Sequence, residues 1–378
     1  MQKSNVLFHR ISFIILSSIG GLLLSLTGLS IGWMIGTLLT AALLSFLRPR
    51  FLQLHDKGAG LPKYWLFIGQ CILGMELGQK INVSAVSIFK EHGATILAIL
   101  LLSILFTLLS GFVLWKFSHL DILTSFFGTA PGGLSAMPGI AEEVGANTAV
   151  VSLIQTMRIF LVVLTVPIVV SLWFDSTAYS AVSSHLTVEP PNFKIGQLVW
   201  TLVLAFTAWG GYYLGKILKF PAPWLLGSMV SVSLVQLGSS SFIGYEFTAW
   251  WPESLIIFSQ ILIAASIGSR FQKEMLIGLK KTLVISLLST IGLISAMFLC
   301  AIFVSNLTGI SLVTAVLAFA PGGIAEMTTT SVVLHADSTF VLSVQVLRVV
   351  IVCLVLPPFF RLLHVRDARK KMRSHAHI

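Results

Sequence analysis

A chain of 378 residues in which 56% are hydrophobic and only 10% are charged cannot cover itself with a solvated surface, because a soluble domain carries roughly a quarter charged residues. Its formal charge of +10 is gathered in short clusters between apolar runs, not spread along one face of a domain, which excludes a nucleic-acid-binding module and reads as the topology signal of a polytopic membrane protein.

In chain order, a short basic segment, Met1 to Arg10, leads into an apolar run with no A-x-A cleavage site, which reads as a first membrane helix. Apolar stretches able to cross about 30 Å of hydrocarbon recur at 11–27, 30–47, 64–79, 94–115, 148–174, 195–215, 223–238, 254–269, 282–304 and 339–363. The fold class is therefore an all-α polytopic membrane protein with ten candidate spans. Cys71, Cys300 and Cys353 stand singly in these runs and read as small hydrophobes, with neither disulfide nor metal spacing.

Two further apolar stretches, 122–146 and 311–336, are interrupted by Ala-Pro-Gly-Gly at Ala130 to Gly133 and at Ala320 to Gly323. Proline removes a backbone donor and clashes with the preceding turn, and the glycines impose no preference for continuing the helix. The ten residues from Ser311 to Ala320, at about 1.5 Å each, reach about half of the hydrocarbon core. A half-helix is predicted before each break.

The two interruptions belong to an internal repeat. At an offset of 190 residues, Pro131, Gly132, Gly133, Met137, Ala146, Val151, Gln155, Arg158, Val162, Leu164 and Pro167 match Pro321, Gly322, Gly323, Met327, Ala336, Val341, Gln345, Arg348, Val352, Leu354 and Pro357 without a gap. The same offset pairs Gln70 with Gln260 and Gly78 with Gly268, and Gly32 to Gly36 resembles Pro223 to Gly227 with a shift of one. A first membrane repeat over 1–174, an extracytoplasmic linker over 175–194, a second repeat over 195–363 and a basic cytoplasmic tail over 364–378 follow from this.

If the Pro-Gly-Gly segments cross fully, each half has six spans, and the flanking lysines and arginines divide 14 against 8. If they are re-entrant or otherwise discontinuous, each half has five, the second is inverted, and the division becomes 19 against 3, with only Lys80, Lys90 and Lys194 on the poorer side. The positive-inside rule prefers two inverted repeats of about five transmembrane helices, with both termini in the cytoplasm of a multi-pass plasma (inner) membrane protein.

Broken helices inside a bilayer leave backbone polar groups that only protein, water or ligand can satisfy. The Gly132, Gly133, Gly322 and Gly323 breaks therefore mark a midplane site of the kind secondary transporters use. Arg158 and Arg348 lie near mid-depth, where a guanidinium costs at least about 2.5 to 3.5 kcal/mol, so both need partners. Two readings stand side by side: bidentate contact with an anionic group, or a structural ion pair with Glu142, Glu143 or Glu326. Gln155 and Gln345, three residues earlier, share the helical face. Glu326, opposite Ala136 in the repeat, suits proton or sodium coupling. Thr329 with its neighbours Thr328 and Thr330 offers hydroxyls that a membrane helix often bonds to itself. Glu76 is a second candidate carrier or a side chain reaching the interface. Asn147 and Asp337 read as N-caps.

No His/Cys cluster and no G-x-x-x-x-G-K-[ST] loop is present, so no metal, cofactor, catalytic residue or nucleotide-driven step is expected, and no enzymatic activity. The partners expected are a small, anionic solute, H+ or Na+, and the lipid bilayer, with no nucleic acid; homo-oligomerisation is left open.

With Ala-Pro-Gly-Gly-x-x-x-Met at Ala130 to Met137 and at Ala320 to Met327, each followed by a Gln-x-x-Arg helix, nearly the whole chain resembles the AbrB duplication family of bacterial membrane proteins. That resemblance implies two labels, ammonia monooxygenase and regulator of gene expression. The residues do not supply the converging His and carboxylate ligands that oxygenation needs, so monooxygenase activity is not expected. No soluble domain exists for direct DNA binding, so a regulatory role would act through a sensed or transported metabolite. The expected function is a secondary transporter, with a membrane-embedded sensor as the alternative.

Overall fold

The structure is a computed structural model and describes residues 2–28, 31–47, 60–79, 84–118, 120–131, 141, 146–182, 195–220, 222–243, 249–271, 280–352 and 355. Among these the chain is helical, with no strand. The first half contributes α1 (Gln2–Ser25), α2 (Gly32–Leu47), α3 (Lys63–Gln79), α4 (Ser84–Phe117), α5 (Ile122–Thr129) and α6 (Thr148–Val182). The second contributes α7 (Ile195–Ile217), a π-helical turn (Pro223–Gly227) running into α8 (Ser228–Ile243), α9 (Glu253–Gly268), α10 (Lys280–Thr308), α11 (Leu312–Phe319), α12 (Ile324–Val333) and α13 (Ser338–Val352).

Five of these helices contain segments long and apolar enough to cross a membrane: Val6–Ser25, Gly93–Phe117, Thr148–Val170, Gly196–Ile217 and Lys280–Thr308. Their outward faces carry large exposed side chains such as Leu23, Leu101, Phe206, Leu288 and Leu299. In water that exposure would be costly, whereas hydrocarbon accepts it without loss. The protein is a helical membrane protein. α2, α9 and α13 are apolar but shorter, and α2 and α9 are wrapped by other helices, with Leu38, Ala41, Leu262 and Ile263 fully buried.

The predicted half-helices are present. α5 and α11 have eight residues each, or about 12 Å. Their starts are fixed by side-chain caps, Asp121 Oδ2 accepting from Thr124 N at 2.9 Å and Ser311 Oγ accepting from Thr314 N at 3.3 Å. Their ends are fixed by Pro131 and Pro321, with Ala130 and Ala320 turned to extended backbone. Among the second copy's described residues the chain continues through Gly323, in extended conformation, into α12. Gly132 and Gly133, with the rest of that first turn, lie outside the described residues.

Contacts recur at the repeat offset. Asn147 N donates to Thr124 Oγ1 at 2.9 Å and Asp337 N to Thr314 Oγ1 at 3.2 Å. Asn147 Oδ1 and Asp337 Oδ1 cap the following helices, accepting from Val150 N at 3.1 Å and Phe340 N at 2.9 Å, as the sequence suggests. Gly20 and Gly36 bring α1 and α2 into backbone contact, and Gly211 and Gly227 do the same for α7 and the π-turn. Any side chain at these positions would collide with a carbonyl across the pair.

The halves interlock. Gly78 of α3 packs on Met229 and Val232 of α8, where a Cβ would lie 2.7 Å from Met229 O. Gly268 of α9 packs on Leu38 and Ala41 of α2, at 2.7 Å from Leu38 O. The two equivalent helices α3 and α9 meet at equivalent residues, Ser259 Oγ donating to Gly69 O at 2.8 Å. α4 and α10 meet through Ser110 and Ser289, whose hydroxyls are 2.6 Å apart. Phe117, at the end of α4, lies beside Lys280, at the start of α10, so these two run antiparallel.

Candidate functional site

The site is built where the half-helices stop. A helix C-terminus leaves carbonyls without intrahelical donors and carries the negative end of the dipole. In hydrocarbon no water relieves that deficit. Here the next long helix supplies the donors. Gln155 Nε2 donates to Phe127 O at 2.9 Å and Arg158 to Thr129 O. In the second copy, Gln345 Nε2 donates to Leu317 O at 2.9 Å and to Ala320 O at 3.1 Å. Arg348 donates to Ala320 O at 2.6 Å, to Gly322 O at 2.9 Å and to Gln345 Oε1 at 2.5 Å. Gln155, Arg158, Gln345 and Arg348 are all buried.

Of the three carboxylates the sequence offers as ion-pair partners of the arginines, Glu326 alone lies among the described residues. Among the described residues their hydrogen-bond partners are carbonyls and a glutamine, not Glu326. Carbonyls at a broken helix end have no intrahelical donors and accept from these side chains instead. Glu142 and Glu143 lie outside the described residues. The charge of Arg158 is felt at Arg348. Among the described residues Arg158 Nε and Arg348 Nε are buried without a hydrogen-bond partner, as is Gln155 Oε1.

Glu326 is buried in the first turn of α12, its carboxylate folded over Gly323 and accepting from its own backbone N–H. That is the favourable, positive end of the helix for an anion. Its charge also acts on Arg270, just beyond α9. Arg270 precedes Phe271, whose ring stacks on Phe160 of α6 at 4.9 Å. Gly322 packs against the Met327 side chain, a Cβ there falling 2.9 Å from its Cγ.

Thr329 donates its hydroxyl to Ala325 O at 2.7 Å, and Thr328 and Thr330 bond Ile324 O and Glu326 O in the same way. These hydroxyls are spent on their own helix. Glu76 is buried, at 2% exposure, rather than reaching an interface. α12 packs against α3, which carries it, and against α6 and α9. Sequence reasoning passed over Gln260 and Ser266 of α9, both buried, with Gln260 Oε1 and Ser266 Oγ lacking hydrogen-bond partners among the described residues. Their signal was available, since they occupy the repeat positions of Gln70 and Glu76. Among the described residues no group of three His, Cys, Asp or Glu gathers as a metal set.

The chain is similar to two bacterial proteins. It is 52% identical over 374 residues to "Uncharacterized protein YhjN" of Bacillus subtilis strain 168, covering 98% of this chain and 97% of that protein. It is 28% identical over 304 residues to "Putative regulator AbrB" of Escherichia coli K12, covering 80% and 83%. The family described as transition state regulatory protein AbrB matches residues 33–364. With a match over most of its length, including both breaks and both Gln-x-x-Arg helices, the chain belongs to the AbrB family.

Proposed function

We propose that this protein is a secondary transporter of a small anionic organic solute, bound between two inverted repeats whose Pro-Gly-Gly segments are re-entrant. The observation that carries the reading is the pair of buried guanidinia, one from each repeat, within electrostatic reach of each other and each with an unused Nε–H. Two adjacent cations in low dielectric repel. A carboxylate placed between them would relieve that repulsion and accept the spare donors in a charge-assisted geometry.

The antiparallel run of α4 and α10, which hold equivalent places in the two halves, supports inversion. The eight-residue length of α5 and α11 supports re-entrance. Inverted repeats with broken helices give alternating access by rocking about a fixed midplane site. In this reading Gly132, Gly133, Gly322 and Gly323 open the backbone, and Gln155 and Gln345 hold the ends of the half-helices. Glu326 takes up the coupling proton or sodium ion, with Thr329 and Glu76 beside its path.

The name of the Escherichia coli relative supports a second reading, a membrane sensor that binds the same solute without moving it. Reconstitution separates the two. A panel of radiolabelled small carboxylates is offered to proteoliposomes containing wild type, Arg158→Lys or Arg348→Lys. Lysine keeps a cation to cap the half-helix but loses the planar fork. The expected result is saturable uptake by wild type and its loss in both variants, with folded protein retained. Normal uptake in both variants removes the site assigned here, and saturable binding without flux in wild type favours the sensor.

A further inference from the structure

The geometry points to a binding site for an anionic phospholipid in a groove between the end of α4 and the start of α10. The groove encloses about 700 Å³, enough for the upper part of an acyl chain with its headgroup. Its walls are apolar: Val113 and Phe117 come from α4, and Val284 and Leu288 from α10, all four exposed on the outer face of the bundle. Its mouth carries Lys280 and Lys281, adjacent residues in the first turn of α10. Lys116 is close by, its ammonium 6.0 Å from the centre of the Phe117 ring.

A cationic rim above an apolar slot on the lipid-facing surface is complementary to one common amphiphile, a phosphodiester headgroup carrying acyl chains. Position sharpens the assignment. An α-helix N-terminus favours an anion at its end, and here that end coincides with two cations, where helix electrostatics alone would place acidic residues. Nothing in the first turn of α10 is acidic. The repeat-related position reads differently: Lys90 is followed by Glu91, so the charge there cancels, and Ala94 and Ala98 stand where α10 has Val284 and Leu288. The duplication thus diverged at this place towards charge and bulk on one end of the molecule only, the lysine-rich end that the charge distribution places in the cytoplasmic leaflet.

Ser289 lines the groove, and its hydroxyl meets that of Ser110 in α4. A lipid seated there bridges α4 and α10, one of the helix pairs through which the two halves meet. The site depends only on the membrane character of the chain and stands whether or not it transports a solute.

Native mass spectrometry of the full-length protein in detergent tests the assignment, using delipidated samples titrated with phosphatidylglycerol, phosphatidylcholine or inorganic phosphate. Wild type is expected to bind about one phosphatidylglycerol saturably in preference to phosphatidylcholine. Lys280→Gln with Lys281→Gln should weaken that binding by about 30-fold, the value of two cations beside an anionic headgroup. Val284→Trp, which fills the slot and leaves the charge, should weaken it as well, while Lys90→Gln should not. Equal binding of both lipids, unchanged binding in the double lysine variant, or full competition by inorganic phosphate overturns the proposal. So does a change of oligomeric state in Val284→Trp with lipid binding intact, which would make the groove a contact between copies of the chain.

Discussion

At the scale of residues, the buried Gln-x-x-Arg pairs do two things at once. Their hydrogen bonds replace the donors that the broken helices lack, and their leftover N–H groups and charge remain for something else. The capping part is testable by itself. Gln345→Leu keeps volume but strips the donors from Leu317 O and Ala320 O, and should cost about 1 to 3 kcal/mol of stability, read as a fall in the thermal unfolding midpoint in detergent. Ser343→Ala, whose hydroxyl only bonds Thr339 O of its own helix, should stay within about 0.5 kcal/mol of wild type. The sequence marked Arg158 and Arg348 as needing partners but could not name them, because a carbonyl acceptor leaves no residue-type signature. The N-caps at Asn147 and Asp337 were readable because their acceptor is the side chain itself.

At the scale of elements, proline and glycine wrote the boundaries. α5 and α11 end where Pro131 and Pro321 forbid continuation, and both were legible as half-helices from spacing alone. The π-turn before α8 was not, and neither was the close backbone approach between Gly211 and Gly227 that accompanies it, which only the assembled pair reveals. Such approaches distinguish one helical glycine from another. Gly227→Ala should drive α7 from the π-turn and lower the unfolding midpoint sharply. Gly292→Ala, in α10 with nothing within 4 Å of its added methyl group, should gain up to about 1 kcal/mol from helix propensity. Equal effects of the two substitutions in a side-by-side melt would contradict the packing described.

At the scale of the whole molecule, the charge count, the repeat offset and the helix lengths agree on a membrane bundle, whereas the sidedness of each loop rests on the charge count alone. Impermeant labelling of single cysteines decides it, in a background lacking Cys71, Cys300 and Cys353. Five crossings per half put Ser184→Cys outside and His55→Cys inside, so only the former should react in intact cells. Six crossings would leave both on one side. Gly60, in the same basic loop, is a poor reporter because its φ is +67° and a Cβ would sit 2.8 Å from Ser269 O. The exchange of partners between halves was invisible in sequence, because a contact between α3 and α8 looks no different from one between α3 and α2. It has a consequence for how the protein is made. The groove on α2 that Gly268 fills, and the face of α3 that Val232 covers, are both vacant when the ribosome has finished only the first repeat. The nascent first half therefore stands in the bilayer with those two surfaces uncovered. The two halves complete each other only once the second has been made.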